Sequence, residues 1–338
     1  METCPVEILE YIFSLACNDG GFTGRSLSAT SKYIRQVSSS SRYHSIACRN
    51  AGQTIAFASV LESTPVRLRS VRHLLLCSYF SDLDKISTST QVSGWNKLPA
   101  WIKSRPPTTM QSASPFYKPF EAFTAQQALG HKVYAATTRI ISMTVPTLVT
   151  LSFHRTIFLE KLPYIQFPAL VELSINQAWP GPTGMLQVKA LNHIGVLPSL
   201  RRLILTAFDR LDDAVQFVDN IRRIAPSLTH LGIPACCAIP VVSKLMLDMA
   251  HSNAVASFPH TLQVLLLHGT ELEEMPIWGF RSTWESHGKE LVLASGLYVF
   301  PSEEDGTRWE NAWVDGICGE GHWSPKCAAI APAHFSRR

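Results

Sequence analysis

The sequence predicts an α+β protein with three parts: a three-helix unit at residues 1–47, an irregular α/β solenoid over 48–268 and a cap over 269–338. Apolar residues recur at helical spacing near the N-terminus, which predicts the helical unit. The pattern L-x-x-L-x-L recurs through the middle of the chain, and tryptophans are concentrated after its last copy. A pattern that recurs at intervals of roughly 20 to 50 residues is typical of proteins built from stacked units.

The helical unit begins at Pro5, which suits the first turn of a helix because its missing N–H costs nothing there. Glu7 lies near the positive end of the same helix dipole. The stretch 18–21 (Asn-Asp-Gly-Gly) breaks the helix, and a short third element carries Tyr43 and Ile46. The two apolar stripes are Ile8, Leu9, Ile12, Phe13 and Ala16, and then Leu27, Thr30, Ile34 and Val37. So small a unit leaves apolar surface uncovered, and that surface is a candidate docking face.

These residues resemble the F-box, in the form common in large fungal, basidiomycete-type families of F-box proteins. Cys4 stands where the family usually has leucine, and Thr30 where it usually has valine. The matching residues are Pro5, Glu7, Ile8, Leu9, Ile12 and Phe13, then Leu27, Ser31 and Lys32, then 42–46.

The resemblance implies that the chain binds a Skp-type adaptor of a cullin–RING (SCF-type) ubiquitin ligase. We expect Ile8 and Leu9 to be the anchors, because interfaces concentrate their binding energy in a few apolar side chains. The residues implied at or near the adaptor are Pro5, Ile8, Leu9, Ile12, Phe13, Leu27, Ser31 and Lys32.

The repeated pattern predicts strands. A shorter apolar run at 71–76 also has strand character, and four of the five copies follow a proline two residues earlier. The pattern is the strand signature of a leucine-rich repeat. Only one copy, through Cys236, keeps the usual asparagine or cysteine after the core, so we expect an irregular horseshoe. The copies begin at Leu148, Leu170, Leu200, Leu228 and Leu262.

Helical stretches are predicted between these strands. The clearest spans 211–224, where acidic residues begin the helix and arginines end it, as its dipole favours. The interval 80–140 holds serine-, threonine- and proline-rich stretches, which predict a loop or insertion. Further helices are predicted over 55–61, 120–143, 185–196 and 241–249.

The region 269–338 loses the repeat and is predicted to cap the solenoid, because a terminal unit needs a distinct outer face. It contains a strand-like run at 291–293 and two tryptophans, Trp309 and Trp313, that share a helix face if that stretch is helical. The other tryptophans of the region are Trp278, Trp284 and Trp323.

Composition excludes several functions. With 46% hydrophobic and 17% charged residues, the chain is expected to pack a core. The net charge is only +4 and the basic residues are dispersed, so no nucleic-acid partner is expected.

No signal-peptide pattern and no run of about 18 apolar residues is present, so no membrane partner is expected. The eight cysteines form no C-x-x-C and indicate reduced thiols, hence a cytoplasmic and/or nuclear protein.

No catalytic residue, cofactor or metal is predicted. The nucleophile-elbow, P-loop, zinc-protease, dinucleotide-binding and kinase motifs are all missing from the sequence. Cys318, His322, Cys327 and His334 could bind a metal, but their spacing matches no common zinc site.

We therefore expect a substrate-recognition subunit that is not itself an enzyme. It would hold an unknown protein target on the concave strand face, through side chains that flank the strand leucines. The alternative is that these flanking side chains are ordinary solvated strand residues. Two alternatives remain open: a leucine-rich-repeat-like interaction scaffold that does not engage a ligase, and an enzyme in which the repeated runs form an α/β sheet. The candidate target contacts are Arg72, Glu172, Arg202, His230 and Gln263.

Overall fold

A computed structural model describes residues 4–77, 117–154, 165–176, 195–206, 214–234, 241, 261–268, 277–286, 288–294, 313–315 and 317. Its strands form one eight-stranded sheet in which every neighbouring pair is parallel and the strand order follows the sequence order. The strands are β1 Ser45–Cys48, β2 His73–Cys77, β3 Thr150–His154, β4 Glu172–Asn176, β5 Arg202–Leu205, β6 His230–Pro234, β7 Val264–His268 and β8 Glu290–Ala294.

Helices precede and connect these strands. Asn50 begins α4 because its side-chain oxygen accepts the Gln53 N–H at 2.9 Å, which satisfies a donor that the first helical turn leaves unpaired. None of the helices in the described ranges is both long and apolar enough to cross a membrane. The helices are α1 Val6–Ala16, α2 Phe22–Thr30, α3 Lys32–Val37, α4 Ala51–Ser63, α5 Tyr117–Thr144, α6 Ala214–Ile224 and α7 Ile277–Ser286, with a 3-10 turn at Val66–Leu68.

The main core lies on one face of the sheet, which we call the helix face. Successive strand residues point to opposite faces, and the leucines of the repeated pattern point to the helix face. Leu151 and Phe153 of β3, for example, are buried in one cluster with Ile140 of α5 and Phe217 of α6. Each such side chain contributes about 1.5–3 kcal/mol when it leaves water. This continuous layer is what holds the strands and helices together.

The predicted fold class is wrong. The sequence predicted an α+β chain with an N-terminal three-helix F-box, an irregular leucine-rich-repeat-like solenoid and a C-terminal cap. The described residues instead form an α/β structure around a single all-parallel sheet. The third predicted helix is β1, and the predicted cap contributes β8. The sheet therefore extends into both regions that were assigned to separate units.

Individual elements were predicted better than their assembly. Strands occupy all five copies of the repeated pattern and the run near residue 73, and α4, α5 and α6 lie where helices were predicted. Because α5 begins at Tyr117, the last part of the predicted 80–140 insertion is helical. The second N-terminal stripe is divided between α2 and α3 at Ser31. Nearly all of each helix predicted over 241–249 and 185–196 lies outside the described residues.

The N-terminal helices are joined to the sheet through β1. The Gly20 N–H donates to the Ser45 side-chain oxygen at 3.0 Å, and the Ala47 N–H donates to the Gly20 carbonyl at 3.2 Å. The loop between α1 and α2 is thus hydrogen-bonded to the edge strand. This attachment fixes the position of α1 and α2 relative to the sheet.

Candidate functional site

Helix α1 has two apolar faces. Its inner face carries Leu9 and Phe13, which are buried against Ile34 and Val37 of α3. This small cluster is separate from the main core of the sheet. It holds α1 and α3 together and leaves the other apolar face of α1 about half exposed.

The outer face of α1 carries Ile8, Tyr11, Ile12 and Leu15, which we call the outer stripe. These side chains are 50%, 64%, 47% and 58% exposed. Positions i, i+3, i+4 and i+7 lie in one sector of a helix, so the four side chains form a continuous surface. Seven of the ten exposed large hydrophobic side chains in the described ranges lie between Val6 and Tyr33. Such a concentration is typical of an interaction surface.

The structure divides the predicted adaptor residues into three groups. Pro5, Ile8, Ile12 and Lys32 are exposed, whereas Leu9 and Phe13 are interior. Leu27 is half-buried and packs against the same small cluster. Ser31 is exposed, but its side-chain oxygen accepts the Ile34 N–H at 3.1 Å and caps α3. The two expected anchors therefore differ: Ile8 faces outward, and Leu9 stabilises the helical unit.

Sequence reasoning missed Tyr11 and Leu15, and also Phe22 of α2, which is 68% exposed. Ile8, Leu9, Ile12 and Phe13 were read as one stripe, although they belong to two adjacent sectors of the helix. The signal was available, because these four residues with Tyr11 and Leu15 spread over a wider arc than one buried face requires.

Close contacts fix the position of α2 within the N-terminal unit. The α-carbon of Gly24 faces the backbone of Arg42, and an added β-carbon would lie 2.3 Å from the Arg42 carbonyl oxygen. Asp19 accepts hydrogen bonds from the backbone N–H and the hydroxyl of Thr23, at 2.9 and 2.6 Å, which begins the helix. Gly21, just before α2, has a φ of 94°, which favours glycine. The outer stripe is thus presented on a well-supported unit.

Exposed charged side chains lie on all three N-terminal helices. Arg25, Lys32 and Arg35 of α2 and α3 are exposed, and the Arg35 side chain also donates to the Ser28 carbonyl at 2.6 Å. Helix α1 itself carries the exposed Glu7 and Glu10, so these helices present charges of both signs.

A second candidate site lies on the sheet face opposite the main core, which we call the second face; the site's Thr150 and Glu172 are buried, and its His73, Arg202 and His230 are partly exposed. Strand register places polar residues from five consecutive strands in one row, which we call the polar row. Residues in register on neighbouring parallel strands lie about 4.8 Å apart. The polar row comprises His73, Thr150, Glu172, Arg202 and His230.

The polar row contains an ion pair. Arg202 Nε lies 2.7 Å from Glu172 Oε2. Burial raises the pKa of Glu172, and the Arg202 charge acts in the opposite direction. Burial and the Arg202 charge both lower the pKa of His230. The row therefore sets the Glu172–Arg202 pair beside a histidine whose neutral form is favoured.

At the other end of the row, His73 Nδ1 lies 2.9 Å from the Thr150 hydroxyl. Burial, followed by the charges of the neighbouring Arg72 and His44, lowers the pKa of His73 to about 4. The pKa of His44 is also lowered, chiefly by burial. Both imidazoles are consequently neutral at physiological pH, and the charge of Arg72 favours that neutral form.

Of the predicted target contacts, three lie in the polar row and two do not. Glu172, Arg202 and His230 are in register, whereas Arg72 and Gln263 come one residue before their strands begin. Glu172 is buried, which limits it to supporting Arg202. His73 and Thr150 were missed because their place in the row depends on strand register, which the sequence does not reveal.

A second row at the carboxyl ends of β2, β3 and β4 places Cys77, His154 and Asn176 in register. A thiol, an imidazole and an amide are the groups of one kind of nucleophilic site. All three residues are nine-tenths buried, and Cys77 packs against Trp313. The row is enclosed, and we assign no chemistry to it.

Within the described ranges, no group of three or more histidine, cysteine, aspartate or glutamate residues could hold a metal ion. The metal candidates Cys318, His322, Cys327 and His334 lie outside those ranges. No protein-family model, curated protein or solved structure matches this chain.

Proposed function

We propose that the chain is a substrate-recognition subunit of a cullin–RING ubiquitin ligase, which docks on a Skp-type adaptor through the outer stripe of α1. The observation that carries this proposal is the exposure of Ile8, Tyr11, Ile12 and Leu15 beside a buried inner face. The sequence pattern that residues 4–46 share with F-box proteins supplies the identity of the partner.

In the proposed mechanism, the chain brings a bound target close to the ubiquitin-conjugating machinery. The adaptor would hold the N-terminal helices, and the sheet, fixed to them through Gly20 and β1, would hold a target near the ubiquitin-conjugating machinery. A high effective concentration of the target would then accelerate transfer without a catalytic group in this chain. Buried thiols such as Cys17 and Cys48 suit a reducing compartment, and we propose cytoplasm and/or nucleus.

The test is binding of the full chain to a purified Skp-type adaptor, measured by calorimetry. Ile8→Asp with Ile12→Asp is expected to weaken the complex by about 10- to 100-fold, because the two apolar anchors together are expected to contribute roughly 1.5–3 kcal/mol. Both side chains are exposed, so the fold should survive. The matched control is Val66→Asp, since Val66 is 78% exposed and lies outside the N-terminal helices.

The second candidate is an interaction scaffold that does not engage a ligase. It is favoured by the two departures from the F-box pattern, of which Cys4 packs on the small cluster and Thr30 is exposed. Absence of a complex at micromolar concentration, even after Cys4→Leu and Thr30→Val, would establish the scaffold and end the ligase proposal.

A further inference from the structure

Arg202 is the charged residue of the polar row that reaches solvent. It lies on β5, in register with Glu172 of β4 on one side and with His230 of β6 on the other. The Arg202 side chain is 35% exposed, whereas that of Glu172 is 10% exposed. The pair therefore presents mainly its positive member to a ligand that approaches the second face.

Glu172 engages only part of the Arg202 guanidinium. A guanidinium carries five N–H donors, and it is the Nε of Arg202 that lies 2.7 Å from Glu172 Oε2. The contact is an ion pair whose angle departs from that of a hydrogen bond. In the part of the chain that the structure describes, Glu172 is the one polar partner of Arg202. The donors on Nη1 and Nη2 therefore remain for a ligand, on a group that the ion pair holds in place.

The charge around Arg202 is unbalanced. The first residues of β2 to β6, together with the residue before each of these strands, include three arginines and one carboxylate, that of Glu172. Burial and the Arg202 charge lower the pKa of His230, so this neighbour favours its neutral form. A region with an excess of positive charge attracts anions. The three arginines are Arg72, Arg201 and Arg202.

We propose that Arg202 binds a carboxylate of the target, from the side chain of an aspartate or a glutamate. The paired N–H groups of arginine match the two oxygens of a carboxylate. This inference rests on the proposed function for the statement that the ligand belongs to a target, whereas the site itself is independent of the adaptor.

The surroundings of Arg202 favour a carboxylate over a phosphate. Glu172 already offsets part of the arginine charge, so the pair suits a ligand with one negative charge, whereas a phosphate dianion requires further cations. Arg72 lies three strands away, about 14 Å, and Arg201 precedes Arg202, so its side chain points away from the second face. Neither is placed to share the ligand with Arg202.

The first test applies the full chain to an array of peptides that share randomised flanks and carry glutamate, glutamine or phosphoserine at one central position. Binding to the glutamate peptides is expected to exceed binding to the glutamine peptides at least about fivefold, because hydrogen bonds between charged groups are the stronger ones. Arg202→Met should abolish this preference. The matched control is Arg222→Met, which removes an exposed arginine of α6 and should keep it. Equal binding of glutamate and glutamine, stronger binding of phosphoserine, or a preference that survives Arg202→Met would overturn the proposal.

The second test observes the guanidinium directly, by NMR of the full chain with ¹⁵N-labelled arginine. The Nε–H signal of Arg202 is assigned from its absence in Arg202→Met, and sodium acetate is then added at constant ionic strength. We expect a saturable shift for Arg202 and none for Arg222. A shift that does not saturate, or saturation by inorganic phosphate at lower concentration than by acetate, would contradict a carboxylate site.

Arg202→Met leaves the buried Glu172 without its partner, and this change could unfold the chain. Arg202→Met combined with Glu172→Gln removes both charges and then replaces the single variant. The combined variant should show no preference for glutamate, and a preference that persists overturns the proposal. Adaptor binding is measured on the same variants and should not change, because the outer stripe lies on α1. Failure of the carboxylate site and failure of the adaptor are thus separate results.

Discussion

Gly24 is the residue on which the position of α2 depends most directly. Its hydrogen takes the place where any other residue would put a β-carbon, and that β-carbon would lie 2.3 Å from the Arg42 carbonyl oxygen. The obstacle is backbone just before β1, so it cannot rotate away as a side chain could. Contact between α2 and the start of the sheet requires glycine at this position.

Gly24→Ala is expected to destabilise the protein by about 1–3 kcal/mol, the usual cost of overpacking, because α2 must move away from Arg42. The measurement is the free energy of unfolding by urea, with adaptor affinity as a second readout. Gly52→Ala in α4 is the matched control. Its new β-carbon would meet only the Asn50 side chain at 3.4 Å, and alanine favours helix by up to about 1 kcal/mol. A Gly24→Ala chain as stable as Gly52→Ala would disprove this close approach.

At the scale of elements, the pairing of β4 with β5 depends on a charge pair as well as on leucines. Glu172 is buried, and Arg202 is the basic group beside it in the polar row. Burial alone favours the neutral carboxyl, so the carboxylate form depends on the arginine. Removing only one partner leaves the other inadequately compensated.

Arg202→Met is expected to cost about 1–3 kcal/mol at pH 7.5, less than for a fully buried pair because the Arg202 side chain is one-third exposed. Without Arg202, the pKa of Glu172 rises further above its unfolded value. The cost is therefore fully present above that raised pKa, decreases as the pH falls from it toward the unfolded pKa, and vanishes below the unfolded pKa. Unfolding by urea at pH 7.5 and 5.0 measures the difference.

Two controls accompany this experiment. Arg201→Met changes an exposed neighbour that lies outside the polar row and should alter stability by less than about 0.5 kcal/mol. Adding Glu172→Gln to Arg202→Met should abolish the extra pH dependence, since no buried carboxylate remains. A pH dependence that persists in the double variant would show that another group is responsible.

The sequence predicted elements where a pattern was long enough to have a period. The leucines at 151, 173, 203, 231 and 265 all fall in strands and all point to the helix face. β1 has only four residues, too few for alternation to be distinguished from a helical turn, and it was assigned to a helix. The side-chain contacts on the second face were not predictable from the sequence. The neighbours of Glu172, for example, depend on strand register, which decides the residue that lies opposite it in the next strand.

At the scale of the whole molecule, the N-terminal helices and the sheet are parts of one structure. β1 pairs in register with β2, and the loop at Gly20 is hydrogen-bonded to β1. Tyr43 and Ile46 pack against the main core. The small cluster around Leu9 and Phe13 is too limited to supply the stability of an independent domain.

A fragment of residues 1–47 is therefore expected to lack a cooperative thermal transition when it is studied alone by circular dichroism. Its β1 has lost the partner strand, and its apolar residues have lost the core. In the full chain, hydrogen exchange should show protection of α1 amides that depends on the sheet. A sharp melting transition in the fragment would instead identify a self-sufficient helical domain.

The candidate site was predictable only in part, because packing between elements decides which residues of α1 are exposed. The apolar residues of α1 predicted a candidate docking surface. Which of them face outward depends on where α3 and β1 lie. Leu9 and Phe13 turn inward to contact Ile34 and Val37, and this leaves Ile8 and Ile12 outside. The local apolar pattern predicts that α1 is a helix, whereas the elements packed against α1 determine which of its apolar stripes remains exposed.

Because the order of the strands repeats the order of the sequence, the sheet can grow in the direction of synthesis. Each strand that leaves the ribosome finds its neighbour already in place, and domains generally fold from the N-terminal end during translation. The outer stripe and β2 would therefore be synthesised before Trp313, which packs on Leu75 and Cys77 of β2. During that interval these two side chains would lack their aromatic cover, and chaperones that protect exposed apolar residues could bind there.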